Sequence, residues 1–239
     1  MLYDSMNAAN ARILPKIDGV VVGIVTNNKD PENKGRVKVK IPMLTQETES
    51  DWVRIAQPMA GKENGTLIIP EVNDEVLLAF QLGDISQPFV VGSLWNDKNK
   101  PPAGKDDKNN VRKIVSRAGH ELTFNDKAGD ESVSIVTKKG LKLEMTDKDE
   151  TIKLQDKPGA NAITIKGGSS GEIEIKSGTT KVTINNKGDA TVESTKKLTL
   201  KSTEIAIEAT AKLSLKGGAM VDIASDGMLN IKGSMVKIN

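Results

Sequence analysis

The sequence predicts an all-β chain in two unlike parts, a small closed barrel followed by a fibrous array of short strands. Three observations predict it. Up to Trp95, apolar and polar residues alternate over short runs bounded by Gly, Pro and Asn, with no helical period. From Leu122 to the C-terminal end, two apolar residues separated by one other residue recur at short intervals. Aromatics make up only 3% of the chain while 28% is charged, so the core is aliphatic and sits on narrow elements.

The elements divide as an N-terminal extension (1–16), a barrel (17–96), a linker (97–112) and the repeat array (113–239). In the barrel, Val20, Val22 and Ile24 alternate with their neighbours before the turn cluster Asn27-Asn28-Lys29-Asp30-Pro31. Arg36 to Ile41 sets Val37, Val39 and Ile41 on one face and Arg36, Lys38 and Lys40 on the other, a half-buried strand that Pro42 closes. Trp52 to Ile55, Glu75 to Phe80 and Phe89 to Leu94 complete five strands, with a turn at Gly83-Asp84. Five short strands with Gly- and Pro-bearing turns form a small Greek-key barrel. The linker carries Pro101-Pro102, Gly104 and a run of Lys, Asp and Asn with little to bury.

The array begins with Leu122/Phe124, Val133/Ile135, Leu141/Leu143, Ile152/Leu154, Ile163/Ile165 and Ile173/Ile175. Val182/Ile184, Ala190/Val192, Leu198/Leu200 and Ile205/Ile207 follow, then Leu213/Leu215, Val221/Ile223, Leu229/Ile231 and Val236/Ile238. Each short strand offers two inward side chains, and such a strip hides its apolar face against nothing of its own. A self-coiling solenoid needs roughly 18 or more residues per turn, whereas this period of 7 to 11 supplies one wall of a prism. Three chains supplying three walls close the sheet edges, which predicts a homotrimer.

Composition excludes several chemistries. There is no cysteine, hence no disulfide, thiolate metal site or cysteine nucleophile. The single histidine, His120, excludes a His-rich metal cluster within one chain. Lys and Arg nearly balance Asp and Glu, for a net charge of +2, which is no nucleic-acid footprint. No apolar run suits a signal peptide or a membrane span, so assembly in the cytoplasm is expected.

Candidate chemistry is sparse. His120 beside Gly119 is a catalytic base or metal ligand on one reading and a corner residue on the better one, since no Ser, Cys or second His lies near it. Glu172/Glu174 and Asp147/Asp149 are carboxylate pairs of the kind glycoside hydrolysis uses, but alternation with Ile173, Ile175 and Lys148 puts them on a solvent face. Trp52, Phe80, Phe89 and Trp95 could stack nucleic-acid bases, yet core packing is their expected use and no basic-aromatic cluster is evident. Arg36, Lys38 and Lys40 read as a solvated stripe. Gly167-Gly168-Ser169-Ser170-Gly171 lacks the following helix that a phosphate loop requires and is an array corner.

Two stretches carry a family resemblance. Gly65-Thr-Leu-Ile-Ile-Pro70-Glu-Val-Asn-Asp-Glu75-Val-Leu-Leu-Ala-Phe80, running on through Gly83-Asp84, Pro88, Gly92-Ser-Leu-Trp-Asn96 and Pro101-Pro102, resembles the barrel of phage baseplate assembly protein V. Ser116-Arg-Ala-Gly-His-Glu-Leu-Thr-Phe-Asn-Asp126 is similar to the family's barrel–needle junction, here Gly119, His120, Glu121 and Leu122. The chain thus resembles spike proteins of contractile injection systems, including phage tails, tailocins and the barrel-plus-needle part of valine-glycine repeat protein G. Asn73 stands where that family often has glycine, and asparagine tolerates the positive φ such a turn needs.

The resemblance implies an OB-fold barrel followed by an intertwined, trimeric, triple-stranded β-helix. It implies a structural, non-enzymatic spike without cofactor, catalytic residue or metal, which pierces a target envelope. It implies a separate hub protein at the barrel end and a tip protein of the proline-alanine-alanine-arginine (PAAR) repeat class at the other. Ser234, Met235, Val236, Lys237, Ile238 and Asn239 are the expected tip-docking residues, and no nucleic acid is expected. The location implied is a virion or an extracellular tail-like particle. The alternative is an oligonucleotide- or polysaccharide-binding OB module on a fibrous β-solenoid.

Overall fold

The computed structural model describes residues 16–44, 49–104 and 106–238. The N-terminal extension up to residue 15, and Asn239, lie outside the described residues. The described residues are all-β apart from one 3₁₀ turn at Gln81–Gly83.

The first sheet holds β1 (Val20–Asn27), β2 (Lys38–Lys40), β3 (Arg54–Ile55), β4 (Glu75–Phe80) and β5 (Pro88–Leu94), in the order β2-β1-β4-β5-β3. All neighbours are antiparallel except β3 and β5. The sheet curls on itself, because Val37 and Val53 exchange both backbone hydrogen bonds, at 3.0 and 2.7 Å, and so bring its edge strands together. Inside lie Val25, Val37, Val39, Val53, Val76, Leu78 and Val90, each 3% exposed or less. Ile41, Ile55, Ile69 and Phe80 pack against them.

Val37, Val39 and Ile41 face the core as their alternation predicts. In β1 the inward set is Val21, Gly23 and Val25, whereas Val20 and Val22 point outward and are 55% and 36% exposed. Both faces of β1 are apolar, so alternation alone cannot choose. Packing does: a Cβ on Gly23 would stand 2.7 Å from Cδ1 of Leu78, so only glycine leaves Leu78 room to fill the barrel. Asn73 takes φ 76° and keeps the turn before β4.

The second sheet is one antiparallel meander of nine strands. They are β6 (Val111–Val115), β7 (Glu121–Asn125), β8 (Ser132–Val136), β9 (Lys142–Thr146), β10 (Thr151–Gln155), β11 (Asn161–Lys166), β12 (Glu172–Ser177), β13 (Thr180–Asn185) and β14 (Ala190–Glu193), each paired with its neighbours in sequence. β9 presents Leu143 and Met145, not Leu141 and Leu143, since Met145 stands opposite Val133 and Leu143 opposite Ile135. Leu141 lies in the preceding turn, where its N–H bonds Oγ1 of Thr137. The six expected pairs from Leu198/Leu200 to Val236/Ile238 form no strands among the described residues. Their exposed residues have no ladder partner among the described residues.

The stretch between the sheets is folded into turns. Oδ1 of Asn96 accepts the N–H groups of Lys98 and Asn99, and the Asp106 carboxylate accepts those of Lys108 and Asn110. Nδ2 of Asn99 reaches Oδ1 of Asp74 in the barrel at 3.3 Å.

Candidate assembly site

The register of the meander sorts its side chains into straight rows. One row on a single face runs from Phe124 through Val133, Met145, Ile152, Ile165 and Ile173 to Ile184. Beside it a second runs from Ile114 through Leu122, Ile135, Leu143, Leu154, Ile163 and Ile175 to Val182 and Val192. The opposite face carries Thr123, Ser134, Glu144, Lys153, Thr164, Glu174 and Thr183 in one such row. Among the described residues nothing covers the apolar rows: Ile163 and Ile165 are each 41% exposed, and Ile175 is 49% exposed. A contiguous apolar stripe of this length marks an interaction surface.

The carboxylate pairs form no cleft. Glu172 and Glu174 project from the polar face, and Asp147 and Asp149 sit in the turn between β9 and β10. Among the described residues no group of three or more His, Asp and Glu side chains could hold a metal ion. Gly167 to Gly171 forms the β11–β12 turn, closed by the Gly171 N–H on the Gly168 carbonyl at 3.2 Å.

His120 ends the turn between β6 and β7, beside Gly119 at φ 85°. Its carbonyl accepts the Ser116 N–H, and its Nδ1 accepts the Lys138 N–H at 3.4 Å. Glu121 pairs with Lys113, and Leu122 joins the apolar rows. The contact from this turn to the barrel is made by Arg117, whose Nη1 lies 3.0 Å from Oε1 of Glu71. Sequence reasoning passed over Arg117, and its only signal was a position two residues before the corner glycine. At the far end Met235 is 74% exposed and Ile238 91% exposed.

The barrel does hold a basic-aromatic cluster, contrary to expectation. Arg36 and Lys38 lie over the Trp52 ring at 5.9 and 5.6 Å from its centroid, and Arg54 lies over Phe89 at 4.6 Å. Arg36 and Lys38, two apart where the chain enters β2, share a face that reaches Trp52, which linear reading hides. Only part of the stripe is solvated: Lys40 is exposed, whereas the Arg36 side chain is 16% exposed and that of its partner Asp30 4%. The Asp30 carboxylate accepts Nε and Nη2 of Arg36 at 2.9 and 2.7 Å, and backbone N–H groups of Glu32, Lys34 and Arg36 add to these. The Arg36 guanidinium, followed by these N–H groups, holds the Asp30 carboxyl well below the usual carboxylate range against the opposing effect of burial. Lys38 is neutralised by Glu49 at 2.9 Å. Arg36 and Lys38 are therefore each paired with a carboxylate and present little free charge to a polyanion. Trp95, by contrast, is 65% exposed, so core packing accounts for only part of the aromatic set.

Comparison with known proteins agrees with this architecture. Residues 21–95 match the family described as type VI secretion system/phage-baseplate injector OB domain. The chain is 32% identical over 139 residues to type VI secretion system spike protein VgrG3 of Vibrio cholerae, covering 52% of this chain and 14% of that protein. It is 30% identical over 139 residues to spike protein VgrG2a of Pseudomonas aeruginosa, covering 53% of this chain and 16% of the relative. Actin cross-linking toxin VgrG1 of Vibrio cholerae is 30% identical over 139 residues, 52% of this chain and 13% of the toxin. The chain thus spans only a small part of these relatives' length.

Proposed function

We propose that this chain, whose barrel is an injector OB domain of the baseplate and spike type, is the structural spike of a contractile injection machine. Three copies turn their apolar rows inward and make a rigid needle. The barrels ring its base and seat on a separate hub, and a PAAR-type protein docks on the exposed apolar end around Ser234–Ile238. The sheath supplies the work, and the needle transmits it into a target envelope as part of a virion or tail-like particle. Nothing is turned over.

The observation that carries this reading is the pair of unbroken apolar rows on one face of β6–β14. Burying a large aliphatic side chain contributes about 1.5–3 kcal/mol, so covering two such rows outweighs the cost of ordering an already formed sheet. Only a matching apolar surface of equal length does this, and a second and third copy supply it by symmetry. Beyond Glu193 the apolar pairs continue without an intrachain ladder among the described residues. Backbone groups there need strands from neighbouring chains, which is the requirement of an intertwined β-helix. The paired cations around Trp52 give the oligonucleotide-binding alternative no support.

Antibody labelling of contractile particles, purified from cells that make this protein, tests the reading. Label confined to the baseplate end is the expected result. A protein absent from such particles contradicts it.

A further inference from the structure

Apolar rows drive association but do not fix how neighbouring copies lie, and the edges of the second sheet do. Because β6–β14 form one antiparallel meander, successive turns alternate between its two long edges. The edges carry opposite charge. On one lie turns 116–120, 137–141 and 156–160, with Arg117, Lys138, Lys139 and Lys157 against the single acid Asp156. On the other lie turns 126–131 and 147–150, where Asp126, Asp130, Glu131, Asp147, Asp149 and Glu150 outnumber Lys127 and Lys148.

The basic edge is a stacked column. A Cβ built on Gly119 would meet Cγ of Lys138 at 3.9 Å, and one on Gly140 would meet Cγ of Lys157 at 2.8 Å, so each lysine stem runs across the corner glycine of the preceding turn on that edge. Among the described residues Lys138, Lys139 and Lys157 have no ion-pair partner, and neither have Glu131, Asp147, Asp149 and Glu150. Charges of both signs therefore stand uncompensated, on opposite edges of one sheet.

We propose that these edges are the two halves of a seam between copies of this chain, an inference that rests on the trimeric reading above. Turn 137–141 of one copy seats between turns 126–131 and 147–150 of its neighbour. Copies related by rotation about the needle axis lie at equal height. Turn 137–141 then stands about 4.8 Å along the axis from each acidic turn, one strand spacing. That is inside the screening length of about 8 Å at physiological salt. Sheets packed face to face in the antiparallel sense bring like edges together, so the seam selects parallel, in-register neighbours. It acts near the barrel, because the later turns 167–171 and 186–189 carry no net charge. The contact is head-to-tail and closes into a ring.

The test uses the full chain in three variants: Lys138→Glu with Lys139→Glu, Asp147→Lys with Asp149→Lys, and all four together. Assembly mass and dissociation rate on dilution are read at low and high salt. Each two-site variant is expected to dissociate on the order of tenfold faster at low salt, with the difference fading at high salt. The four-site variant restores opposite charge between turns 137–141 and 147–150 and should recover part of the lost lifetime. Two-site variants that match wild type at low salt, or a four-site variant that fails to recover, overturn the seam and leave the trimer standing. A wild-type chain that stays monomeric overturns the trimeric reading itself.

Discussion

Ile163 of β11 stands directly opposite Ile175 of β12, and the two leave 41% and 49% of their surfaces in solvent. Cross-strand aliphatic pairs of this kind stabilise a sheet, and far more so once their exposed apolar surface is covered. Ile163→Lys introduces a charge into that layer and is expected to leave the barrel folded while abolishing association. Light scattering on the variant checks this, with far-UV circular dichroism confirming that β structure persists.

The barrel should be acid-sensitive through Asp30. Its carboxyl is held below its usual range chiefly by Arg36, so the contribution to stability is present above the unfolded value, about pH 3.9, and is lost as pH falls through the lower folded value. Asp30→Asn removes the proton-linked group. The variant is expected to be less stable at neutral pH and to show a flatter fall in stability below pH 4, read from denaturant midpoints across pH.

Leu78 is fully buried and fills the space that Gly23 leaves open. Leu78→Ala should cost the barrel about 2–5 kcal/mol, through lost transfer energy and a residual cavity. The predicted signature is a lower denaturant midpoint at an unchanged slope.

Arg117 and Glu71 hold the first turn of the second sheet against the barrel, but their side chains are 81% and 46% exposed. An exposed pair contributes about 0.2–1 kcal/mol, so Arg117→Ala should barely move the melting temperature. Its expected effect is on orientation, read as a wider spread of barrel positions in electron micrographs.

Removing residues 194–239 takes away the apolar repeats that lack an intrachain ladder. The truncated protein is expected to associate through its nine-stranded sheet yet dissociate in cold SDS, because interlaced strands confer kinetic rather than equilibrium stability. Gel mobility without boiling checks it.

Much of this was legible in the chain. Val37, Val39 and Ile41 alternate with cations, so one face of β2 could only be the inner one. The two-residue repeat from Ile152 to Val192 marked strands because each pair is isolated by polar residues. Alternation left the inner face of β1 open because both its faces are apolar, and only the approach of Leu78 to Gly23 decides it. Leu141 misled because a turn and a strand both tolerate leucine, whereas the register against β8 admits only Leu143 and Met145. The Trp52 cluster and the opposite charges of the two sheet edges were hidden for one reason. Both join residues that are distant in sequence and meet only when the sheet order is known.

The solution mass of the purified chain, before and after dilution, tests the central claim most directly. The account predicts a persistent species of three times 25.6 kDa. A species of one chain mass at every concentration would contradict it, since the apolar rows of β6–β14 would then stand uncovered in water.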